Sequence, residues 1–193
     1  MARKLSTLLI KKVKIVGLLC ACLIGSHIAN VLLNGALFQY GIQPRELDRL
    51  HHIFTAPWVH GSFSHLLNNL VGIVVFSWLC LIRSVRLFWF SSFIIVLVTG
   101  LLVWLFGRPA NHIGASGWIF GLWSLSISLA WFDRRLINIV IAMLVILFYG
   151  GMVFGMLPQS SDVSFESHLF GAVAGAFAAW LSTLKPLRKK LKD

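Results

Sequence analysis

Long apolar runs separated by short charged breaks dominate this chain of 193 residues. An α-helix needs roughly 20 apolar residues to cross the hydrocarbon core of a bilayer, which is about 30 Å thick. Hydrophobic residues make up 58% of the sequence and charged residues only 12%, which excludes a soluble globular domain. We therefore predict an all-α integral membrane protein, a bundle of six transmembrane helices at residues 15–33, 63–82, 87–106, 116–132, 136–157 and 167–184.

The basic residues predict how these spans are oriented. With a cytoplasmic N-terminus, fourteen of the seventeen Lys and Arg residues fall inside, and only Arg45, Arg49 and Arg108 fall outside. Every loop then follows the positive-inside rule. We expect both termini in the cytoplasm, with short basic tails at residues 1–14 and 185–193 of one membrane-embedded domain, residues 1–193. Orientation and contact with anionic membrane lipids explain the net charge of +11, so no nucleic-acid partner is expected.

Two reactive side chains stand at the start of apolar segments of equal length. Ser116 precedes Asp133 by 17 residues, and His168 precedes Lys185 by the same interval. At 1.5 Å per residue, each helix reaches about 26 Å from the cytoplasmic charges. The hydroxyl and the imidazole should therefore lie at similar depth, a few Å below the outer membrane boundary.

Small residues at helical spacing predict that these two helices meet closely. Gly117 and Gly121 follow the serine, whereas Gly171 and Gly175 follow the histidine. On the second span, His65 and Asn69 are four residues apart and share a face. The three helices begin on the same side, so the backbone N–H of Ser116, with Asn69 and His65, could stabilise an oxyanion.

Each feature also has a simpler interpretation. A Gly-x-Ser-Gly run in an apolar helix usually serves packing, a histidine near a helix start is often an interfacial residue, and Asn69 could join helices by hydrogen bonds. A small membrane transporter or channel would more typically show paired broken helices or a carboxylate at mid-depth. A non-catalytic membrane scaffold is the remaining alternative. His60, His65 and His112 have poor spacing for a metal site, so no metal is expected.

Taken together, the motifs resemble the rhomboid family of intramembrane serine proteases, most closely the bacterial GlpG-type six-helix form. Gly114-x-Ser116-Gly117 resembles the nucleophile motif of that family, and His168-x-x-Gly171-x-x-x-Gly175 resembles its general-base helix. A cluster on and before the second span is similar to the family's second-helix cluster and comprises His65 and Asn69, with His60 as a supporting residue.

The resemblance implies a serine endopeptidase with a Ser116–His168 dyad and no cofactor. Its substrates would be single-pass or multi-pass transmembrane proteins, cleaved near their outer ends. It also implies a multi-pass protein of the inner (plasma) membrane, with an active site open to the periplasmic side.

Some positions depart from the family pattern. Phe120 stands where many members have a tyrosine beside the catalytic histidine, and the fifth loop, residues 157–166, looks long. We expect its polar residues 158–162 to act as a lid, with Phe154 and Met156 as hydrophobic cover. Glu166, two residues before His168, should face away from the dyad and complement the helix dipole.

Overall fold

The computed structural model describes residues 2–158 and 163–191, and the regular secondary structure of this part of the chain is helical apart from one isolated β-bridge. In this part of the chain, four helical segments are long and apolar enough to cross a membrane, namely Leu5–Leu32, Phe63–Arg83, Val85–Phe106 and Leu136–Met156, whereas the apolar helix Ser116–Phe132 is shorter. An all-helical membrane protein is therefore confirmed, while the count of six spans stays a prediction. The α-helices are α1 (Ala2–Leu32), α2 (Phe63–Arg83), α3 (Val85–Phe106), α4 (Ser116–Phe132), α5 (Leu136–Tyr149), α6 (Phe165–Thr183) and α7 (Lys185–Lys190).

The helix boundaries match the predicted spans at some ends and differ at others. Helix α4 begins and ends as predicted, because a glycine-containing loop precedes it and Asp133 follows it. Helix α1 already begins at Ala2, since the leucines and lysines of the basic tail are good helix formers. Helix α5 ends at Tyr149 and gives way to a 3₁₀ helix, Gly150–Met156, because two consecutive glycines are poor α-helix formers.

Serine side chains cap three of the helices. The Oγ atoms of Ser62, Ser84 and Ser164 accept hydrogen bonds from the backbone N–H groups near the starts of α2, α3 and α6. Such caps satisfy amide donors that have no partner within the helix. Ser84 is also the single residue between α2 and α3, so those helices form a tight hairpin.

Helix α4 lies at the centre of the bundle. It contacts α2, α3, α5 and α6, and its residues 117–126 are buried. Helix α1 packs mainly against α2 and exposes large apolar side chains along its length. Exposed apolar surface of this extent suits contact with lipid.

One end of the bundle, here called the site end, contains the starts of α2, α4 and α6. The connection from α1 to α2 crosses it through three short 3₁₀ helices, Ala36–Tyr40, Leu47–Phe54 and Ala56–Trp58. Ile42 and His112 exchange two backbone hydrogen bonds of 2.9 and 3.0 Å. The first connection and the loop before Ser116 are thereby joined.

Charged side chains link the helices at the opposite end. Arg83 Nε donates to Asn138 Oδ1 over 2.8 Å, and Asn138 Nδ2 donates to the carbonyl of Asp133 over 2.7 Å. The Asp133 carboxylate also pairs with Arg188 over 2.6 Å. This network connects α2, α5 and α7 through the turn after α4.

Candidate active site

A loop that turns at Gly114 brings Ser116 to the first position of α4. Gly114 has a φ of 105°, a backbone conformation that favours glycine, and its N–H donates to the carbonyl of Ala56 over 2.9 Å. A Cβ atom on Gly114 would lie 2.6 Å from the ring of His65. Only glycine lets the loop pass this close to His65, and the half-buried Ser116 follows two residues later.

Helices α4 and α6 meet backbone to backbone. A Cβ atom on Gly171 would collide with the carbonyl oxygen of Gly117, and one on Gly175 would collide with that of Gly121. The four glycines that the sequence placed on facing stripes are thus in contact in the structure. Because no side chain separates the helices here, the starts of α4 and α6 are held close together.

His168 is oriented by a hydrogen bond and by a ring stack. Its Nδ1 lies 2.8 Å from the carbonyl oxygen of Gly155, and a carbonyl only accepts, so Nδ1 carries the proton and Nε2 keeps its lone pair. The ring stacks on Phe120 with 4.1 Å between centroids. Phe120 is four residues after Ser116 and shares its face of α4. No hydrogen bond joins the Ser116 hydroxyl to His168 among the described residues.

The predicted oxyanion-stabilising residues gather beside the same loop. Asn69 is buried, its Nδ2 has no hydrogen-bond partner in the described part of the chain, and that atom would lie 3.5 Å from a Cβ on Gly114. His60 is fully buried and packs edge to face on His65, with 5.1 Å between ring centroids. Burial, followed by the charge of His65, lowers the pKa of His60 to about 4. The His60 ring is therefore neutral at pH 7.

The predicted gate is only partly described. Phe154 is 67% exposed, whereas Met156 is half-buried and packs against the main hydrophobic core. Of the proposed lid, residues 159–162 lie outside the described part of the chain. The lid and the covering role of Phe154 and Met156 therefore stay predictions.

Several contacts at the site end were not anticipated from the sequence. The Gly155 carbonyl that holds His168 carries no sequence signal, because any residue offers a carbonyl. Glu166, assigned only to the helix dipole, is buried and lies 3.4 Å from Arg108 Nε. Arg108 is the only lysine or arginine between residues 87 and 133, and Glu166 is one of only two acidic residues between residues 136 and 184. Their opposite charges were the sequence signal for this ion pair.

Within residues 2–158 and 163–191, no three His, Cys, Asp or Glu side chains come together in a group that could hold a metal ion. His112 instead lies 2.7 Å from Ser164 Oγ through Nδ1 and 3.0 Å from the Arg108 carbonyl through Nε2.

Comparison with known proteins adds a family match to this geometry. The model of the Rhomboid domain matches residues 47–185. Uncharacterized proteins of Mycobacterium tuberculosis and Mycobacterium bovis are each 37% identical over 150 residues, which cover 73% of this chain and 62% of theirs. An uncharacterized protein of Mycobacterium leprae is 31% identical over 164 residues, covering 80% of this chain and 65% of its own. The match thus spans less than two thirds of the length of these curated relatives.

Proposed function

Because this chain belongs to the rhomboid family, we propose that it is an intramembrane serine endopeptidase that hydrolyses peptide bonds of transmembrane proteins. Ser116 is the nucleophile and His168 is the general base. Family membership supports the class of reaction and the membrane setting. The choice of these two residues is supported by the site geometry.

The orientation of His168 is the observation that carries the proposal. Its Nδ1–H is engaged by the Gly155 carbonyl, so the unprotonated Nε2 is the nitrogen free to accept a proton. The stack on Phe120 holds the ring over the face of α4 that begins with Ser116. To act as a general base, a histidine must have the correct tautomer and must be held in the correct orientation.

The reaction then follows the logic of a serine–histidine dyad. His168 Nε2 accepts the Ser116 proton while the Ser116 Oγ attacks the carbonyl carbon of the scissile bond. His168 returns that proton to the leaving amine as the C–N bond breaks, which leaves an acyl-enzyme. Water, deprotonated by His168, hydrolyses the ester and regenerates the Ser116 hydroxyl.

Three donors would stabilise the negative charge that develops on the substrate oxygen. The Ser116 N–H is in the first turn of α4, where backbone donors have no partner within the helix. Asn69 Nδ2 has no hydrogen-bond partner among the described residues, and His65 lies against Gly114. Unused donors aimed at one point are the requirement for an oxyanion hole.

The proposed membrane arrangement follows from the charges at the two ends. Arg83, Asp133 and Arg188 cluster at the end opposite the site, which we assign to the cytoplasm together with both termini. Six helices would then cross the inner membrane as a GlpG-type domain, with the site end facing the periplasm. The 17 residues of α4 reach only about 26 Å, so Ser116 lies below the membrane surface.

Covalent labelling tests this function. The detergent-solubilised protein should react with a fluorophosphonate probe, and Ser116→Ala and His168→Ala should abolish the reaction. Ser124→Ala, also buried in α4, is the matched control and should label like the wild type. On a transmembrane substrate in proteoliposomes, Ser116→Ala and His168→Ala should be inactive, whereas Ser124→Ala should be active. Labelling that persists in Ser116→Ala contradicts the proposal, and solute flux without labelling would favour a transporter.

A further inference from the structure

Two polar contacts join the loop before Ser116 to the start of α6. Arg108 Nε lies 3.4 Å from Glu166 Oε1, and His112 Nδ1 lies 2.7 Å from Ser164 Oγ. The four residues Arg108, His112, Ser164 and Glu166 are called the clasp below. None of them is part of the proposed dyad or oxyanion hole.

Hydrogen-bond directions in the clasp can be assigned from its chemistry. His112 Nε2 lies 3.0 Å from the Arg108 carbonyl, which only accepts, so Nε2 carries the proton and Nδ1 accepts from the Ser164 hydroxyl. Ser164 Oγ also accepts the N–H of Ser167 over 3.2 Å. A hydroxyl, an imidazole and a carbonyl thus form one continuous chain from α6 to the loop.

The charged half of the clasp is anchored at several points. The Arg108 backbone N–H donates to Glu166 Oε1 over 3.4 Å, and Arg108 Nη2 donates to the Val163 carbonyl over 2.7 Å. The guanidinium also lies 5.5 Å from the centre of the Phe165 ring. The Glu166 side chain is only 8% exposed, so removing Arg108 would leave a buried carboxylate without its counter-charge.

The position of the clasp along the chain is symmetric with respect to the proposed dyad. His112 precedes Ser116 by four residues, and Ser164 precedes His168 by four residues. Beyond the dyad, Gly171 contacts Gly117 backbone to backbone. Ser116 and His168 are therefore bracketed by the polar clasp on one side and by the glycine contact on the other.

We propose that the clasp residues are positioning residues for the proposed reaction, which fix the start of α6 against the loop that carries Ser116. The clasp acts through the backbone, because both of its contacts join the loop before Ser116 to the start of α6. This inference rests on the proposed function. It assigns to Arg108, His112, Ser164 and Glu166 the task of setting the separation between the hydroxyl and the imidazole.

A double-mutant cycle between His112 and Ser164 tests the proposal. His112→Phe and Ser164→Ala should each lower the fluorophosphonate labelling rate and kcat by up to about tenfold, the upper end of what one partly buried hydrogen bond contributes, with little change in KM. The double variant should be no slower than the slower single variant, because both remove the same link. Ser164→Thr keeps the hydroxyl and should restore the rate. Glu166→Gln should behave like Ser164→Ala.

Matched controls separate positioning from general stability. Asn138→Ala breaks the network at the opposite end, so it should lower the melting temperature without slowing labelling. Glu46→Gln removes an exposed ion pair with Arg49 and should change neither quantity. The proposal is overturned if the clasp variants label at the wild-type rate. It is also overturned if their labelling slows no more than that of Asn138→Ala at an equal loss of melting temperature. A wild type that is not labelled at Ser116 overturns the proposed function itself, which is a distinguishable result.

Discussion

The imidazole of His168 lies face to face with the phenyl ring of Phe120, with 4.1 Å between centroids and 6° between ring planes. This stack needs an aromatic face and no hydroxyl, so phenylalanine can take the place of the tyrosine that many family members have. The stack sets the plane of the His168 ring, while the hydrogen bond to the Gly155 carbonyl sets how the ring is rotated within that plane.

Replacing Phe120 should reveal what the stack contributes. We expect Phe120→Ala to lower kcat by about two- to tenfold beyond any loss of folded protein, since aromatic pairs contribute roughly 0.5–1.5 kcal/mol beyond buried area. Phe120→Tyr keeps the stack and should stay close to the wild-type rate. Cleavage kinetics of folded, size-purified protein measure both. Equal activity of Phe120→Ala and the wild type would show that the stack does not orient the base.

Gly155 should tolerate no side chain. A Cβ atom there would lie 2.8 Å from Phe120 Cζ, so Gly155→Ala should push the Phe120 ring aside, disturb its stack with His168 and slow fluorophosphonate labelling. The neighbouring Gly151→Ala is the matched control, because nothing lies within 4 Å of its Cβ position. If both variants label at the same rate, the contact between Gly155 and His168 has no catalytic consequence.

Asn69 should matter to rate more than to stability. Its Nδ2 has no hydrogen-bond partner within the described residues, so Asn69→Ala breaks no bond from that atom, yet it removes a proposed oxyanion donor. We expect kcat to fall by about a hundredfold or more with little change in melting temperature. Asn30→Ala is the converse control, since Asn30 Oδ1 accepts from the Leu37 N–H and its loss should lower stability alone. A large drop in stability with unchanged kcat for Asn69→Ala would contradict this role.

The glycine contact should be essential for folding. Gly171→Ala drives a methyl group into the Gly117 carbonyl, so it should separate α4 from α6 and lower the melting temperature strongly. Gly17→Ala in α1 meets nothing within 4 Å, and it should leave the melting temperature unchanged or raise it, because alanine favours helix by about 1 kcal/mol. Thermal unfolding in one detergent compares the two. Similar melting temperatures for both variants would mean that α4 and α6 do not meet at Gly171.

Stability should fall as the pH falls below neutrality. Burial, followed by the charge of His65, lowers the pKa of His60 from 6.5 to about 4, so between these values the unfolded chain binds more protons than the folded chain. The free energy of unfolding therefore decreases as the pH falls from about 6.5 towards 4. Melting temperatures measured across this window should drop in the wild type and drop less steeply in His60→Phe. Burial also lowers the pKa of His112, so some slope should remain. Identical slopes in the two proteins would exclude His60 as a source of the effect.

The sequence predicted those features that local patterns encode. Both ends of α4 were predicted because charge or glycine interrupts the apolar run there, and the facing of Gly117 and Gly171 followed from helical spacing. The fifth span, predicted at residues 136–157, matches the apolar helical segment Leu136–Met156, but hydropathy alone does not distinguish an α-helix from the 3₁₀ turn after Tyr149.

The contacts that complete the candidate site join distant parts of the chain. The bond from His168 to Gly155 uses a backbone carbonyl, which leaves no trace in side-chain patterns. His112 and Ser164 are 52 residues apart and belong to irregular loop or cap positions, where no periodicity indicates a partner. The sequence therefore named candidate reactive groups, whereas their orientation depends on tertiary contacts.

The backbone contact between Gly121 and Gly175 has a consequence for control of the protein. Side chains at an interface can change rotamer and so let two helices slide, but two peptide backbones in direct contact have no such freedom. The approach of α4 to α6 is then a fixed property, present before any substrate arrives. For the proposed protease, we therefore expect inhibitors, lipids or partner proteins to act by admitting or blocking the substrate rather than by moving α4 against α6.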